Sequence, residues 1–148
     1  MNIIRSCLLA AVVGLNINVG IADTLNLDAY KGKVVYVDFW ASWCGPCRES
    51  FPWLKKMQQQ RGKDGLVIIA VNVDQDKKLA DAFLAEFQPE FKVLYDKDGK
   101  LAEDFKVSTM PSSFIIDRDG KPRFKHKGFH SAKQAQYESE LNDLLVSK

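Results

Sequence analysis

The stretch that decides the fold is Val37-Asp38-Phe39-Trp40-Ala41-Ser42-Trp43-Cys44-Gly45-Pro46-Cys47-Arg48. Its first half ends an almost continuous apolar run over residues 33–41, rich in β-branched and aromatic residues, which predicts a buried central strand. Its second half opens a segment from residue 44 to about residue 60 with apolar side chains on one face, which predicts a helix. Pro46 falls at an early helical position, where its missing N–H costs nothing. The sequence therefore predicts two cysteines at the N-terminus of a helix that follows a buried strand.

The spacing of Cys44 and Cys47 favours thiol chemistry over a structural staple. Two cysteines three positions apart close almost no loop, so a bridge between them would add little stability through chain entropy. A cysteine exchanges disulfides only as the thiolate, and a helix N-terminus stabilises a negative sulfur with free N–H groups and the helix dipole. We predict that Cys44 attacks a disulfide and that Cys47, nearly one turn later and more enclosed, resolves the mixed disulfide.

A zinc site is the alternative interpretation of the cysteine pair. Zinc would require two further Cys or His ligands. The chain has only two histidines, His126 and His130, and nothing in the sequence places them near the cysteines. The sequence therefore predicts no metal and no other cofactor.

Three neighbours of the cysteines are expected to support this chemistry. Gly45 keeps the loop small beside the attacking sulfur. Trp43 can shield one side of the site and offer an apolar contact to a docking peptide. Asp38 stands in the middle of the apolar strand, where an ionised, unpaired carboxylate is costly, so its pKa is expected to be raised. An alternative is that local hydrogen bonds satisfy this carboxyl and that it has no catalytic effect.

The quoted stretch resembles the active-site strand and helix start of thioredoxins, and the downstream sequence is similar to their exported TlpA/ResA-type relatives. The resemblance implies that Met110-Pro111 is a cis pair that faces the dithiol and binds the substrate strand. It also implies that Pro52 bends the active-site helix and that Asp38 helps to move the proton of Cys47. Pro46 completes the spacer that a substrate would contact.

The chain departs from these families at two positions. Ala70 stands where thioredoxins usually have a lysine near the aspartate. Ser50 stands where TlpA/ResA-type proteins usually have a glutamate, and Glu49 is one position off, about 100° round the helix. Asp38 is therefore expected to be the only acid beneath the dithiol.

The remaining elements predict an α/β fold of the thioredoxin type, with a central mixed β-sheet flanked by helices. Strands are predicted at residues 66–74 and 91–95, and a hairpin at residues 113–117 and 122–127. Helices are predicted at residues 76–87, 101–105 and 132–145, the first with Leu79, Phe83, Leu84 and Phe87 on one apolar face. The long interval between Asp74 and Pro111 fits the helix-and-strand insertion of the TlpA/ResA group.

Composition and charge argue against a nucleic-acid partner. The chain of 148 residues has a formal net charge of +2, with acidic and basic residues interleaved, whereas a phosphate-binding surface concentrates its basic residues. The nearest approach to a basic cluster, Arg123, Lys125, His126 and Lys127, is expected on the solvent face of a strand. The mature domain is expected to be a soluble monomer.

The N-terminal segment has the layout of a secretory signal peptide. A short start with one positive charge, Arg5, is followed by an apolar run, and the segment ends at the small residues Gly20 and Ala22. We expect a signal peptide at residues 1–22, cleaved near Ala22, and a thioredoxin-like domain at residues 23–148, placed in the periplasm. The alternative, an uncleaved membrane anchor, would need roughly 20 uninterrupted apolar residues, and Asn16 interrupts the run.

The function predicted from the sequence is that of an exported thiol–disulfide oxidoreductase that acts as a reductase on protein disulfides. The Gly-Pro spacer favours this direction, because thioredoxin with that spacer lies near about −270 mV and the oxidant DsbA near about −120 mV. The resemblance implies a membrane electron donor of the DsbD or CcdA kind, with cytochrome c maturation proteins among the substrates. An oxidase or isomerase remains an alternative, as does a Sco-like copper-binding module, which would want wider cysteine spacing and a suitably placed histidine. A peroxiredoxin is disfavoured because Ala41 replaces the threonine of its motif.

Overall fold

The computed structural model describes residues 24–147, so the proposed signal peptide lies outside the described residues. The strands are β1 (Val34–Trp40), β2 (Leu66–Asn72), β3 (Lys92–Tyr95), β4 (Ser112–Ile116) and β5 (Pro122–Lys127). The helices are α1 (Gly45–Arg61), α2 (Lys77–Phe87), α3 (Lys100–Asp104) and α4 (Gln134–Val146). Every predicted strand and helix is present, with ends shifted by one or two residues.

The five strands form one mixed sheet in the order β3-β2-β1-β4-β5. Strands β1, β2 and β3 pair in parallel, whereas β4 is antiparallel to both β1 and β5. All seven residues of β1 are buried, as expected for a strand with neighbours on both sides and covered faces. The predicted thioredoxin-type fold is thereby confirmed, and β3 with α2 occupies the predicted insertion.

Each face of the sheet carries its own apolar cluster. On one face, side chains of α1, α2 and α4 cover Tyr36, Trp40 and Ile68 of the central strands. On the other face, Leu27 and Tyr30 of the N-terminal segment and Phe105 after α3 pack against the sheet. Leu79 was predicted on the buried face of α2, and that prediction is wrong: its side chain is 54% exposed. Helix α2 is anchored instead through Ala80 and Phe83, which are 0% and 3% exposed.

The edge of the sheet where β1 and β2 begin is held by one guanidinium group. Arg118 donates to the carbonyl oxygens of Gly32 at 2.6 Å, Asp64 at 3.2 Å and Leu145 at 2.8 Å. It therefore ties the two loops before the parallel strands to the end of α4. The cysteines lie at the opposite end of the sheet, where β1 ends.

None of the helices within residues 24–147 combines the length and the apolar character needed to cross a membrane.

Candidate active site

Cys44 lies between the end of β1 and the start of α1. It is the N-cap residue of α1, and its Sγ accepts a hydrogen bond from the backbone N of Cys47 at 3.3 Å. The two cysteines are joined by a disulfide, with their Cα atoms 5.3 Å apart. A sulfur in this position is exposed to the free N–H groups and the positive end of the helix dipole. The site can therefore stabilise a thiolate on Cys44 once the bond opens.

The two cysteines differ in their access to solvent. Cys47 is 0% exposed and Cys44 is 4% exposed, so the predicted order of enclosure is confirmed. The residues between them, Gly45 and Pro46, are exposed, and a Cβ placed on Gly45 would meet no atom within 4 Å. Trp43 is 70% exposed. An approaching chain therefore finds an open surface formed by Trp43, Gly45 and Pro46.

Met110 and Pro111 are joined by a cis peptide bond immediately before β4, as the resemblance implied. Pro111 is buried, and its carbonyl oxygen accepts a hydrogen bond from the backbone N of Gly128 at 2.8 Å. Met110 is half-buried and packs against the apolar clusters of both faces of the sheet. The pair thus lies just before β4, the strand next to β1.

Asp38 lies in the middle of β1 on the same face as Tyr36 and Trp40, because side chains alternate along a strand. Tyr36 and Trp40 belong to the apolar cluster that contains both cysteines. The Asp38 side chain is 2% exposed, and its Oδ2 has no hydrogen-bond partner among residues 24–147. Burial raises the pKa of Asp38 well above its usual range. The predicted direction is confirmed, and the carboxyl holds its proton at pH values where an exposed aspartate would not.

The two departures from the family pattern have clear structural consequences. Ala70 is the residue of β2 opposite Asp38, so a small apolar group occupies the place from which a lysine could reach the carboxyl. Ser50 is 1% exposed and its Oγ donates to the carbonyl oxygen of Cys47 at 3.1 Å. Glu49 is exposed and accepts from Ser131 Oγ at 2.8 Å. Pro52 lies inside α1, as predicted.

A buried carboxylate that the sequence analysis missed holds the loop before Cys44. Asp74, 6% exposed, accepts hydrogen bonds from the backbone N of Ser42 at 2.9 Å and from Ser42 Oγ at 2.8 Å. It also accepts from Asn72 Nδ2 at 2.7 Å. The available signal was position: Asp74 lies two residues after the end of β2, and the C-terminal ends of adjacent parallel strands lie at the same end of a sheet. The contact fixes the path of the chain into the first cysteine.

The inserted helix α2 is anchored beside the dithiol by Arg48. The guanidinium of Arg48 pairs with Glu86 and lies over the rings of Phe83 and Phe87, 5.5 and 5.0 Å from their centroids. A shallow cleft of about 290 Å³ runs along this contact. It is lined by Ser42, Arg48, Leu79, Ala82, Phe83 and Glu86. The insertion therefore contributes surface next to the loop that carries Cys44.

His126 was predicted on a solvent face together with Arg123, Lys125 and Lys127, and for His126 that prediction is wrong. The three basic residues are exposed, but the His126 side chain is 12% exposed and points toward α4. Because side chains alternate along β5, residues 123, 125 and 127 share one face and His126 lies on the other. Its Nε2 lies 2.6 Å from Glu140 Oε2, and its Nδ1 lies 3.2 Å from Ser113 Oγ.

Comparison with known proteins identifies the family. Residues 20–145 match the family profile described as Redoxin. The chain belongs to the Redoxin family. This Redoxin chain is 31% identical over 112 residues to the thiol-disulfide oxidoreductase ResA of Bacillus thuringiensis subsp. konkukian, covering 76% of this chain and 65% of that relative. The match thus spans just under two thirds of the length of that relative.

Two of the solved structures that resemble the Redoxin chain come from Chlorobium tepidum and Streptococcus pneumoniae. One, from Chlorobium tepidum, is described as a thiol:disulfide interchange protein DsbE and is 44% identical, with a TM-score of 0.79. The superposition covers 80% of this chain and 84% of that one. The other is the exposed lipoprotein thioredoxin Etrx1 of Streptococcus pneumoniae, 31% identical, with a TM-score of 0.69, covering 80% of this chain and 90% of that one. The resemblance stated from the sequence is thereby confirmed.

Proposed function

We propose that this protein is an exported thiol–disulfide oxidoreductase that reduces protein disulfides through Cys44 and Cys47. The observation that carries the proposal is the bonded cysteine pair at the N-terminus of α1. The names of the relatives support the reaction type.

In the substrate-reducing direction, the Cys44 thiolate attacks one sulfur of a substrate disulfide. The substrate bond breaks, its electron pair leaves on the second substrate sulfur, and a mixed disulfide forms at Cys44. Cys47 then loses its proton and attacks the Cys44 sulfur, which releases the reduced substrate and closes the disulfide seen here. Trp43, Gly45 and Pro46 offer the surface on which the substrate chain lies.

Asp38 acts on the proton of Cys47 in both directions of this cycle. When a donor thiolate attacks Cys44 of the oxidised protein, the bond to Cys47 breaks and Cys47 leaves as a thiolate. Burial keeps Asp38 in its acid form, so the carboxylic acid can give Cys47 a proton. The carboxylate that remains can take that proton back when Cys47 next attacks. Met110, held by the cis bond to Pro111, supplies the backbone that pairs with the bound substrate.

The reducing direction and the location rest on the sequence. The Gly-Pro spacer supports a low potential, and the pattern of residues 1–22 supports export to the periplasm with cleavage near Ala22. A reductase in an oxidising compartment needs electrons from elsewhere, which we assign to a membrane donor of the DsbD or CcdA kind. Cytochrome c maturation proteins are the substrate class that the family resemblance favours. An intact mass of the secreted chain that begins at Asp23 would support the cleavage site.

Trapping of the mixed disulfide tests the assignment of the two cysteines. Insulin serves as the probe, and the reduced variants Cys47→Ser and Cys44→Ser are mixed with it at pH 7 and resolved on non-reducing gels. Cys47→Ser is expected to accumulate a covalent insulin adduct, because Cys44 attacks and nothing resolves the product. Cys44→Ser is the matched control and is expected to form little adduct. Equal trapping by both variants would overturn the assigned order of attack.

A further inference from the structure

A row of polar residues crosses one face of the sheet, which is otherwise apolar. Asp38 of β1 lies opposite Ser113 of β4, and Ser113 lies opposite His126 of β5. On the other side of Asp38 the polar row ends, because the paired residue of β2 is the apolar Ala70. The row therefore runs from Asp38, on the face of the sheet that carries the cysteine-containing apolar cluster, to the edge strand β5.

Hydrogen bonds continue this row to helix α4. Tyr36 donates its hydroxyl hydrogen to Ser113 Oγ at 2.8 Å, and Ser113 Oγ lies 3.2 Å from His126 Nδ1. His126 Nε2 lies 2.6 Å from Glu140 Oε2. Tyr36 and Ser113 are 2% and 4% exposed, whereas the side chains of His126 and Glu140 are 12% and 14% exposed. This hydrogen-bonded series is buried at Tyr36 and Ser113 and reaches solvent at His126 and Glu140.

The surroundings of His126 come mainly from α4 and from the segment just before it. The ring of Tyr137 in α4 lies 4.7 Å from the imidazole, and Gln136 Nε2 donates to the second oxygen of Glu140 at 2.9 Å. A surface cleft of about 240 Å³ opens beside the imidazole. It is lined by Lys125, His126, Lys127, His130, Lys133, Gln136 and Tyr137. Glu140 is the acid that contacts the ring, and the cleft gives His126 a source of protons.

The charge of His126 determines where the hydroxyl hydrogen of Ser113 can point. In the neutral ring that donates from Nε2 to Glu140, Nδ1 is an acceptor and takes the hydrogen of Ser113. In the imidazolium, Nδ1 carries a hydrogen and donates to Ser113 Oγ, which then accepts from both His126 and Tyr36. The hydroxyl hydrogen of Ser113 is thereby released from His126.

Asp38 is the acceptor that this released hydrogen can serve. Residues directly opposite on antiparallel strands have Cβ atoms about 4.5–5.5 Å apart. No direct hydrogen bond joins Ser113 Oγ and Asp38 among residues 24–147, so the released hydrogen reaches the carboxyl through one bridging water. The Oδ2 of Asp38 lacks a hydrogen-bond partner in the described chain, and a donor there favours the carboxylate over the acid.

We propose that His126, held by Glu140 and acting through Ser113, is a positioning residue for Asp38 in the thiol–disulfide exchange. When His126 takes up a proton from the cleft, the hydroxyl hydrogen of Ser113 is directed through a bridging water to Asp38, where it stabilises the carboxylate that remains after Asp38 gives its proton to Cys47. One proton moves from Asp38 to Cys47, and a second passes from solvent to His126, so the buried negative charge is balanced. The inference rests on the proton transfer between Asp38 and Cys47 that is part of the proposed function.

The test measures how fast dithiothreitol reduces the oxidised mature protein, residues 23–148, between pH 5.5 and pH 8.5. Samples are quenched with acid, and the free thiols are alkylated and counted. The variant is His126→Gln, which can still donate and accept hydrogen bonds but cannot take up a proton. His130→Gln is the matched control, since His130 lines the same cleft but is not part of the chain to Asp38. Each rate is divided by the wild-type rate at the same pH, which removes the effect of dithiothreitol ionisation from the comparison.

We expect His126→Gln to be slower by about tenfold at pH 6, the effect of one hydrogen bond to a charged group. The ratio should rise toward one at the upper end of the pH range. Glu140→Gln, which keeps the ring but removes its carboxylate, should show the same trend to a smaller degree. His130→Gln should match the wild type at every pH. A ratio for His126→Gln that is the same at pH 6 and pH 8 would overturn the proposal, because a packing defect slows the reaction at both.

Asp38→Asn separates this inference from the proposed function. In that background His126→Gln should have no further effect at either pH, and an equal additional loss would overturn the coupling. If Asp38→Asn is slow and His126→Gln has the wild-type profile, the coupling fails and the role of Asp38 stands. If Asp38→Asn reacts at the wild-type rate, the role of Asp38 fails and the coupling fails with it.

Discussion

The loop that carries Cys44 depends on Asp74, and replacing Asp74 by Ala should be unusually costly. The side chain accepts three hydrogen bonds, two from Ser42 and one from Asn72, and it is 6% exposed. Hydrogen bonds to a charged group contribute about 1.5–3 kcal/mol each, but bonds in one cluster do not add. Ser42 is only half-buried, so its freed groups can turn to water, whereas Asn72 is 1% exposed. We therefore expect Asp74→Ala to lower the free energy of unfolding by about 3–4 kcal/mol.

Asp76→Ala is the matched control for this prediction. Asp76 lies two residues further on, is exposed, and accepts one hydrogen bond from the backbone N of Lys78 at 3.0 Å as the N-cap of α2. Loss of such a cap costs about 1 kcal/mol. Urea unfolding followed by circular dichroism, with the disulfide intact, measures both free energies. A loss for Asp74→Ala no greater than that for Asp76→Ala would refute the reasoning.

Three further outcomes are expected. Burial raises the pKa of Asp38. The stabilising contribution of this carboxyl is therefore fully present below its unfolded pKa, near about 3.9, and is lost as the pH rises toward its folded pKa. Asp38→Asn is free of this loss and should therefore be more stable than the oxidised wild type at neutral pH. The gain, measured by urea unfolding, should grow by about 1.4 kcal/mol per pH unit in that window; a gain independent of pH would contradict it. Arg118→Ala should lower the free energy of unfolding by about 2 kcal/mol, because the contacts with the carbonyl oxygens are lost, and Arg118→Lys should not restore them. Unfolding of the variants at the same urea concentration as the wild type would contradict this. Trp43→Ala should change the free energy of unfolding by less than about 0.5 kcal/mol, as at other exposed positions. The variant should nevertheless reduce insulin more slowly in a turbidity assay. An unchanged rate would show that Trp43 is not part of the docking surface.

The sequence was most informative where local pattern and chemistry coincide. The continuous apolar run of β1 and the early proline of α1 placed Cys44 and Cys47 correctly at a helix N-terminus. The same pattern placed Asp38 in a buried strand, from which the direction of its pKa follows. These features depend on neighbours within a few residues, and no long-range pairing is needed to recognise them.

Features that depend on strand pairing could not be predicted in the same way. Alternation along β5 gives the side of the sheet on which His126 lies, but its link to Ser113 requires the register between β4 and β5. The contact of Asp74 with Ser42 spans 32 positions in sequence. The apolar pattern of α2 fitted Leu79 as well as Phe83, and only the direction from which α1 approaches decides which of them is buried.

The central claim is that Cys44 and Cys47 form a reversible dithiol of low potential. The most direct test equilibrates the purified domain with thiol buffers and counts free cysteines by alkylation, for the wild type and for Cys47→Ser. The account predicts one two-electron transition with a midpoint below about −230 mV, in the range of thioredoxin, and no such transition in Cys47→Ser. A midpoint above about −150 mV, toward DsbA, would contradict the reducing direction, and failure to titrate as one reversible couple would contradict the dithiol mechanism itself.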